Sequence, residues 1–386
     1  MAYGVQAEGA WHVADTHTVR FGLLYQADDT LSNTSSLVLS TQAGGPGISN
    51  PNPLCADPNQ VCQISDIPLT IIGNGSKHAW SYGLYLQDEW KISPRLTFNY
   101  GLRYDEYGAF DKENQLSPRA NLVWTPTETT TVHAGFARYF SPPPIELVAS
   151  TDIALFDNTT SAGDHTDDMP KAERADYYDF GVVQKLSDAL QIGLDGFFKS
   201  SSNLLDEGQF GAPIILTPFN YKAGRQYGGE LSLNYQSDGF SSYVNAAYSR
   251  AVGREIVSSQ FQFAPDELDY IANHFIPLDH QQIVTISAGA SYDWDGVRFS
   301  TDLLYGTGLR REGATPNGDH VPSYVTVNLG VSHAFDIGGF KGLTARFDVL
   351  NLFDEKYQIR DGTGVGVGAP QFGARRGFFV GLSKSL

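Results

Sequence analysis

The sequence has few of the features that mark helical membrane proteins, metalloproteins and most enzymes. It contains 386 residues, but only two cysteines and two methionines. No apolar run approaches the roughly 18–20 residues that a membrane helix requires, so a helical span is not expected. GxSxG, HExxH and GxxxxGK[ST] motifs and paired Cys/His spacings are also missing. The sequence therefore predicts no catalytic site, no resident metal and no cofactor.

Positive charge is scarce as well. The chain has 26 Lys and Arg against 43 Asp and Glu, which gives a formal net charge of −17. Because proteins that bind nucleic acid are usually basic, a nucleic-acid partner is excluded. The acidity identifies no other partner, since acidic loops or an acidic interior serve solubility as readily as cation capture.

The two cysteines lie close together in the segment CADPNQVC, as Cys55 and Cys62. The surrounding stretch is rich in Gly, Asn and Pro, which is typical of a loop. An isolated pair in such a loop favours a disulfide and an oxidising compartment. Zinc is the competing interpretation, but no histidine lies close enough in the sequence to complete a site.

What the sequence does contain is a strict alternation of apolar and polar residues. In RLTFNYGLRYDEYG, residues 95–108, the residues Leu96, Phe98 and Tyr100 alternate with Thr97 and Asn99. Successive side chains of a strand point to opposite faces, so a period of two predicts a β-strand. The 40 glycines and 20 tyrosines of the chain also favour β-structure with many turns.

The same alternation recurs along the whole chain, in about fifteen segments of ten or more residues. Short turns alternate with long connections, so nearly all long loops fall at one edge of the predicted sheet. This rhythm is typical of an outer-membrane protein, and the predicted fold class is all-β, an antiparallel transmembrane β-barrel. The predicted long connections are about 28–77, 142–172, 201–223, 252–278 and 308–320.

Aromatic residues cluster at the other edge, beside the short turns. Trp11, Trp90, Trp124 and Trp294 all lie within a few residues of such a turn. Bilayer interfaces concentrate amphipathic rings, so these residues predict an aromatic girdle. The apolar face of each strand is therefore expected to contact lipid, and the polar face to line a wet interior.

Three segments carry a resemblance to a known family. LYLQDEWKISPRLTFNYGLRYD and ARFDVLNLFDEKY resemble the barrel of the TonB-dependent outer-membrane receptors. RRGFFVGLSKSL resembles the closing strand of that barrel, which the barrel-assembly machinery reads as an insertion signal. In the family the second segment marks the penultimate strand. The residues that carry the family motifs are Gln87, Asp88, Trp90, Asn351, Leu352, Phe353, Asp354 and Tyr357.

The resemblance implies an outer-membrane location and energy-coupled uptake of a scarce nutrient. The expected ligand is a small nutrient of the siderophore, cobalamin, saccharide or peptide type. The implied partners are outer-membrane lipid and lipopolysaccharide, the barrel-assembly machinery, and the TonB system acting through a plug domain. A passive porin-like channel is the alternative, and an outer-membrane adhesin is a third.

Family barrels have roughly 22 strands and a plug domain that precedes them. About seven strands and the plug are unaccounted for in this sequence. Residues 1–386 are therefore expected to form the C-terminal two-thirds of such a barrel, without the plug. Closure of this part on itself would need a parallel seam, as in odd-stranded barrels.

Candidate ligand contacts lie in the predicted loops. Arginine suits carboxylates and phosphates, although it also contacts lipopolysaccharide phosphates or balances neighbouring acids such as Asp361. The segment GQFGAPIILTPFNY, residues 208–221, is unusually apolar for a loop, and it predicts either a binding surface or a lid over other loops. The candidates are Phe210, Tyr221, Arg310, Arg311, Arg360, Arg375 and Arg376.

Overall fold

The structure is a computed structural model, and it consists of one large antiparallel sheet with smaller elements at one edge. The residues that it describes are 1–48, 55–58, 60–109, 111–144, 154–162, 169–210, 215–258, 260, 262–364 and 368–384.

The described residues contain 22 strands, one short α-helix and one 3-10 helix. The helix α1 is Pro265–Ile271, and the 3-10 helix is Ala154–Phe156. The strands are β1 Ala2–Ala14, β2 His17–Val38, β3 Thr41–Ala43, β4 Val61–Gln63, β5 Leu69–Ser93, β6 Leu96–Gly108, β7 Lys112–Thr127, β8 Thr130–Ser141, β9 Glu173–Lys185, β10 Leu190–Phe210, β11 Ile215–Ser237, β12 Phe240–Ile256, β13 Ile276–Pro277, β14 Val284–Trp294, β15 Val297–Gly306, β16 Arg310–Arg311, β17 Asp319–His320, β18 Tyr324–Ile337, β19 Phe340–Leu350, β20 Gln358–Arg360, β21 Gln371–Phe372 and β22 Gly377–Lys384.

Fifteen long strands form the large sheet in the order β1-β2-β5-β6-β7-β8-β9-β10-β11-β12-β14-β15-β18-β19-β22. Every long strand therefore pairs with its neighbour along the chain, and every pair is antiparallel. The short strand β13 adds to β12 beyond the start of β14. Within the described residues, β1 and β22 each pair on one side only. The predicted all-β fold with about fifteen strands is confirmed.

The alternation in residues 95–108 forms β6, as predicted. Phe98 pairs with Trp90 on one neighbouring strand and with Leu122 on the other. These side chains share one face with Leu86 and Leu102, whose exposed fractions are 58% and 50%. Large apolar groups exposed in a continuous band need an apolar surrounding, and the bilayer supplies it.

The short turns follow the local chemistry of their residues. Asp238-Gly239 and Asp295-Gly296 both connect strands through two residues with positive φ, which are 30° and 80° in the first turn and 48° and 75° in the second. A two-residue turn of this type matches the twist of the flanking strands and requires residues that tolerate the left-handed region. Asp-Gly satisfies this requirement in both hairpins.

Several strands are much longer than the bilayer requires. A tilted strand crosses with roughly 9–11 residues, whereas β2 and β5 have 22 and 25 residues and β10 and β11 have 21 and 23. The long connections predicted at about 28–77 and 201–223 are therefore wrong in extent. Residues 28–38 and 69–77 continue β2 and β5, and most of 201–223 continues β10 and β11. The segment predicted as an apolar loop, 208–221, is mainly the outer end of the hairpin β10–β11, and residues 211–214 lie outside the described residues.

A folded layer covers the inner side of this projecting hairpin. Asn203 has a φ of 53°, and beyond it Leu204 and Tyr221 turn to the face of Gly224 and Gly253, where a Cβ would collide with them. Leu204 and Tyr221 belong to a cluster of buried apolar side chains, which we call the loop layer. Its members are Leu204, Phe219, Tyr221, Phe263, Ile271, Ile276 and Leu278.

The helix α1 supplies part of the loop layer. Pro265 occupies the first turn, where a missing N–H costs nothing. The carboxylate of Glu267 accepts a hydrogen bond from the backbone N–H of Ala264 at 2.8 Å, which stabilises the start of the helix. Ile271 at its end is fully buried in the layer. Among the described residues, no helix has the length and apolar character needed to cross a membrane.

Candidate functional site

The polar face of the sheet forms the wall of the predicted wet interior. On β8, β9 and β10, His133 lies 3.0 Å from Asp195 and 3.4 Å from Asp179, measured from its Nε2 to a carboxylate oxygen. Gly181 makes room for this group, because a Cβ there would come within 2.0 Å of the Asp195 oxygen. The histidine thus bridges two carboxylates across three strands, and it holds this part of the wall in one register.

Three aromatic rings lie on the same wall, further toward the long loops. The ring centroids of Tyr139 and Tyr177 are 6.0 Å apart, and those of Tyr177 and Phe197 are 6.3 Å apart. We call these three residues the aromatic platform. Tyr177 and Tyr139 also line a recess of about 350 Å³, together with Gln87 of the family motif. The planes of Tyr177 and Phe197 are nearly parallel, at 18°, whereas the ring of Tyr139 stands at 73° to that of Tyr177. The platform can therefore contact a planar aromatic ligand by both face and edge.

Charged residues join two of the loops to each other. The guanidinium of Arg360 lies 2.7 Å and 3.0 Å from the two carboxylate oxygens of Asp279, and their side chains are only 11% and 4% exposed. Arg360 also contacts His280 at 2.7 Å. Since the two segments are 81 residues apart in sequence, this buried ion pair fixes one loop against another.

Two further carboxylates near this ion pair have shifted pKa values. Burial is the main cause that raises the pKa of Asp206 to about 7, and the nearby charge of Asp279 adds to it. Burial likewise raises the pKa of Glu312 to about 7, with the charge of Glu267 as the next cause. Both groups lie in the loop region, outside the membrane-spanning part of the sheet. The region therefore takes up protons near neutral pH.

We expect the loop layer to become less stable as the pH rises. In the unfolded chain such carboxylates ionise near roughly pH 4, whereas in the folded chain Asp206 and Glu312 keep their protons up to about pH 7. Their stabilising effect is therefore complete below about pH 4 and is lost as the pH rises through 7. Hydrogen exchange of peptides from 215–221 and 265–278, corrected for intrinsic rates, should show roughly tenfold less opening at pH 5.5 than at pH 8, or about 1.4 kcal/mol.

Asp206→Asn is the matched variant for this measurement, because the amide cannot ionise. We expect it to reduce the difference between the two pH values. Equal opening at both pH values in the parent protein would contradict the prediction. So would an unchanged pH dependence in both Asp206→Asn and Glu312→Gln.

The arginines predicted to contact ligand mostly have carboxylate partners. Arg311 pairs with Asp319 at 2.6 Å, and Arg375 donates to Asp354 at 2.7 Å. Arg310 is buried, and burial lowers its pKa, with the neighbouring charge of Arg250 as the second cause. These contacts, like that of Arg360, give the arginines structural roles. Ligand contact stays a prediction for all of them.

Three of the remaining candidates have different surroundings. Arg376 donates to the Leu352 carbonyl at 3.3 Å, and its guanidinium lies over the ring of Phe378. Tyr221 is fully buried in the loop layer, and its hydroxyl has no hydrogen-bond partner within the described residues. Phe210 ends β10, and its side chain lies outside the described part of the chain. The structure therefore does not bring Arg376 and Tyr221 together at one site.

The NLFD motif lies directly after the penultimate strand of the sheet, not within it. Asn351 follows the end of β19, has a φ of 48° and is 4% exposed. Its side-chain amide donates to the carbonyls of Glu355 and Ala374, both at 2.9 Å, and its side-chain oxygen accepts from the Glu355 N–H at 2.8 Å. The motif therefore terminates the strand and anchors the following loop.

The other residues of this motif extend the same anchor. Arg375 and the backbone N–H of Arg376 both donate to the carboxylate of Asp354, and these contacts lower its pKa well below the ordinary range. Tyr357 stacks on Tyr324 with ring centroids 4.5 Å apart. Leu352 donates its backbone N–H to a carbonyl of β18, and Phe353 is exposed.

The QDxW motif lies near the short turns, on the lipid-facing side except for Gln87. Asp88 accepts from Tyr100 at 3.2 Å and lies 2.6 Å from the Nδ1 of His17. Trp90 stacks on the ring of His17 with centroids 5.6 Å apart. The motif thus joins three neighbouring strands at the level of the predicted girdle.

Cys55 and Cys62 are placed as a bonded pair, with Cα atoms 6.1 Å apart. This separation lies in the range that a disulfide spans. Both side chains are buried, and Cys62 lies on β4, which pairs with β3. The disulfide in the protein itself stays a prediction, because it depends on the redox compartment.

The aromatic platform and the bridging His133 escaped sequence reasoning. A signal was nevertheless present in the segment YYDF, where Tyr177 and Asp179 share one phase of the alternation, and Tyr178 and Phe180 share the other. The phase assigns Tyr177 to the wet wall. The alternation does not reveal the strand register, which brings the platform residues of three strands together.

A continuous antiparallel sheet with one lipid-facing side and one wet wall defines an outer-membrane β-barrel protein. Residues 3–352 match the family described as "TonB dependent receptor-like, beta-barrel". The chain belongs to this family and is an outer-membrane protein, as the sequence motifs predicted. TonB-dependent receptors are transporters, which agrees with the predicted lack of a catalytic site.

Known proteins similar to this chain include receptors of several bacteria. A curated protein named "Heme/hemopexin utilization protein C" from Haemophilus influenzae (strain 86-028NP) is 24% identical over 301 residues, which are 70% of this chain and 40% of that protein. The fold resembles a mutant of the ferric enterobactin receptor PfeA from Pseudomonas aeruginosa, with a TM-score of 0.64 and 18% identity, covering 100% of this chain and 54% of that one. It also resembles the siderophore receptor PiuA from Acinetobacter baumannii, with a TM-score of 0.65 and 15% identity, covering 99% and 55%. The chain thus spans about half the length of these relatives.

Proposed function

We propose that this chain forms the barrel of a receptor that takes up an iron-bearing nutrient through an energised inner-membrane partner. The ligand that fits best is planar and aromatic, such as heme or an aromatic iron chelate. The observation that carries this choice is the aromatic platform on the wet wall, at the level where the loops begin. The names of the relatives, which refer to heme, ferric enterobactin and siderophores, agree with it.

In this proposal the loops capture the ligand, and the platform receives it on the way into the barrel. Coupling to the TonB system requires a plug domain inside the wall, which the polar side chains of β8–β10 are suited to bind. The barrel-assembly machinery remains a predicted partner. Two of the relatives named above are receptors and the third is a utilization protein, so they give the passive-channel alternative no support.

Deletion of the gene tests the proposed function. We expect the deletion strain, starved of iron, to lose growth on one iron source from a panel of heme, ferric catecholate and ferric citrate. Growth on cobalamin, maltodextrin or peptides as the limiting nutrient should not change. Uptake should stop when the proton gradient is dissipated. Uptake that continues without the gradient would contradict energy coupling and favour a passive channel.

Tyr177→Ala tests the platform directly. We expect about tenfold weaker binding of the ligand identified by the growth panel, since a pair of aromatic rings contributes roughly 0.5–1.5 kcal/mol beyond the area that it buries. The measurement is fluorescence quenching of the purified protein by that ligand.

Tyr178→Ala is the matched control, because the neighbouring tyrosine has the same chemistry but faces lipid and is 49% exposed. Its affinity should equal that of the parent protein. Equal losses in both variants, or none in Tyr177→Ala, would exclude the platform as the binding surface while leaving uptake itself untouched.

A further inference from the structure

The lipid-facing side of β8–β12 shows a change of chemistry from one row of residues to the next. Cross-strand pairing places Phe136, Tyr178, Phe198 and Tyr227 in one row across four strands. All four rings point away from the wet wall. Such a row marks the bilayer interface on the side of the long loops, because aromatic rings concentrate there.

Arginines occupy the end of this row and the two rows beyond it. Tyr227 pairs with Arg250 at the end of the aromatic row. The next row contains Arg225, which pairs with Val252, and the row after it contains Arg254. The three arginines therefore lie on adjacent strands β11 and β12, on the outer surface, at or just above the level of the aromatic row.

These arginines lack acidic partners within the described part of the chain. Arg225 and Arg254 lie on the same ring, that of Phe275, at 4.6 Å and 5.0 Å from its centroid. The Nε atoms of Arg250 and Arg254 are buried and have no hydrogen-bond partner among the residues that the structure describes. By contrast, Arg138 on the same surface forms an ion pair with the carboxylate of Asp176. The group thus combines three positive charges with unsatisfied donors.

We propose that Arg225, Arg250, Arg254 and Phe275 form a binding site for the phosphate groups of an outer-leaflet lipid such as lipopolysaccharide. Guanidinium groups bind phosphate through paired N–H donors. The height of the site, directly beyond the aromatic row, places it among lipid headgroups rather than acyl chains. Phe275 holds two of the guanidinium groups in place by cation–π contact.

The site lies on the outer surface, so it is independent of the proposed uptake of a ligand through the interior. Its role is attachment of the barrel to the membrane that surrounds it. Arg138 and Arg174 lie on neighbouring strands but already pair with Asp176 and Glu113. They widen the polar surface without adding free positive charge.

The test compares binding of diphosphorylated and dephosphorylated lipid A by the protein in detergent micelles. Native mass spectrometry counts the lipids that remain bound. We expect the double variant Arg225→Gln/Arg254→Gln to retain at least fivefold less diphosphorylated lipid than the parent protein. Arg225→Lys/Arg254→Lys should lie between them, because lysine keeps the charge but loses the paired donors.

Arg298→Gln/Arg346→Gln is the control with the same change in charge. Both of these residues face the interior, where they contact Asp293 and Asp348. This variant should bind the lipid like the parent. Folding of each variant is verified by resistance of its electrophoretic mobility to detergent at room temperature, so that loss of binding is scored only for folded protein.

Three outcomes would overturn the proposal. The first is undiminished binding in the folded Arg225→Gln/Arg254→Gln variant. The second is equal binding of phosphorylated and dephosphorylated lipid by the parent protein. The third is displacement of the lipid by millimolar inorganic phosphate, which would identify the group as a site for free phosphate.

Discussion

Replacement of Arg360 by alanine is expected to open the loop layer and to lower its free energy of unfolding by about 3–5 kcal/mol. The variant leaves the carboxylate of Asp279 buried and without its guanidinium partner. Above about pH 7, where Asp206 and Glu312 ionise, their charges raise the free energy of the Asp279 carboxylate further. Hydrogen exchange of peptides from 265–283 should become much faster, while peptides from the membrane-spanning strands should not change.

Arg311→Ala is the control for this prediction. Its ion pair with Asp319 has side chains that are 37% and 47% exposed, and exposed pairs contribute only about 0–1 kcal/mol. A second variant, Arg360→Met/Asp279→Leu, removes both charges together and should recover most of the lost stability. Similar hydrogen-exchange rates in Arg360→Ala and Arg311→Ala would show that burial does not determine how much an ion pair contributes to stability here.

Asn351→Ala is expected to destabilise the end of the sheet by about 3 kcal/mol. It removes three side-chain hydrogen bonds, each contributing roughly 1 kcal/mol, and it places alanine at a φ of 48°. The carbonyls of Glu355 and Ala374 lose their donors. Exchange of peptides from 351–360 and from β22 should report the change.

Two variants separate the causes of this loss. Asn158→Ala also places alanine in the left-handed region, at a φ of 57°, but its side chain is exposed, so it should cost about 1 kcal/mol. Asn351→Gly removes the hydrogen bonds while tolerating the backbone conformation. If Asn158→Ala and Asn351→Ala cost the same, backbone conformation alone explains the preference for asparagine, and the hydrogen bonds contribute nothing.

The parts of the fold that sequence reasoning predicted depend on local rules. A lipid face and a wet face impose a period of two over each spanning segment, so the strands could be read directly. The Asp-Gly turns at 238–239 and 295–296 likewise follow from the backbone conformation that they need. Both rules act over a few residues, and no distant contact alters them.

The parts that sequence reasoning missed depend on distant partners. Beyond the membrane both faces of β2, β5, β10 and β11 meet water or other loops, so the alternation fades although the pairing continues. The ion pair of Arg360 could not be predicted, because its partner Asp279 lies 81 residues away in the sequence. Arg225 and Arg254 were overlooked for the same reason, since their surface appears only when strand register is known.

The neighbour-to-neighbour order of the fifteen long strands has a consequence for how such proteins change in evolution. Because each strand pairs only with the strands before and after it, duplication or loss of one hairpin changes only the pairing of the two strands that flank it. Pore circumference can therefore grow or shrink in steps of two strands while the remaining wall keeps its register.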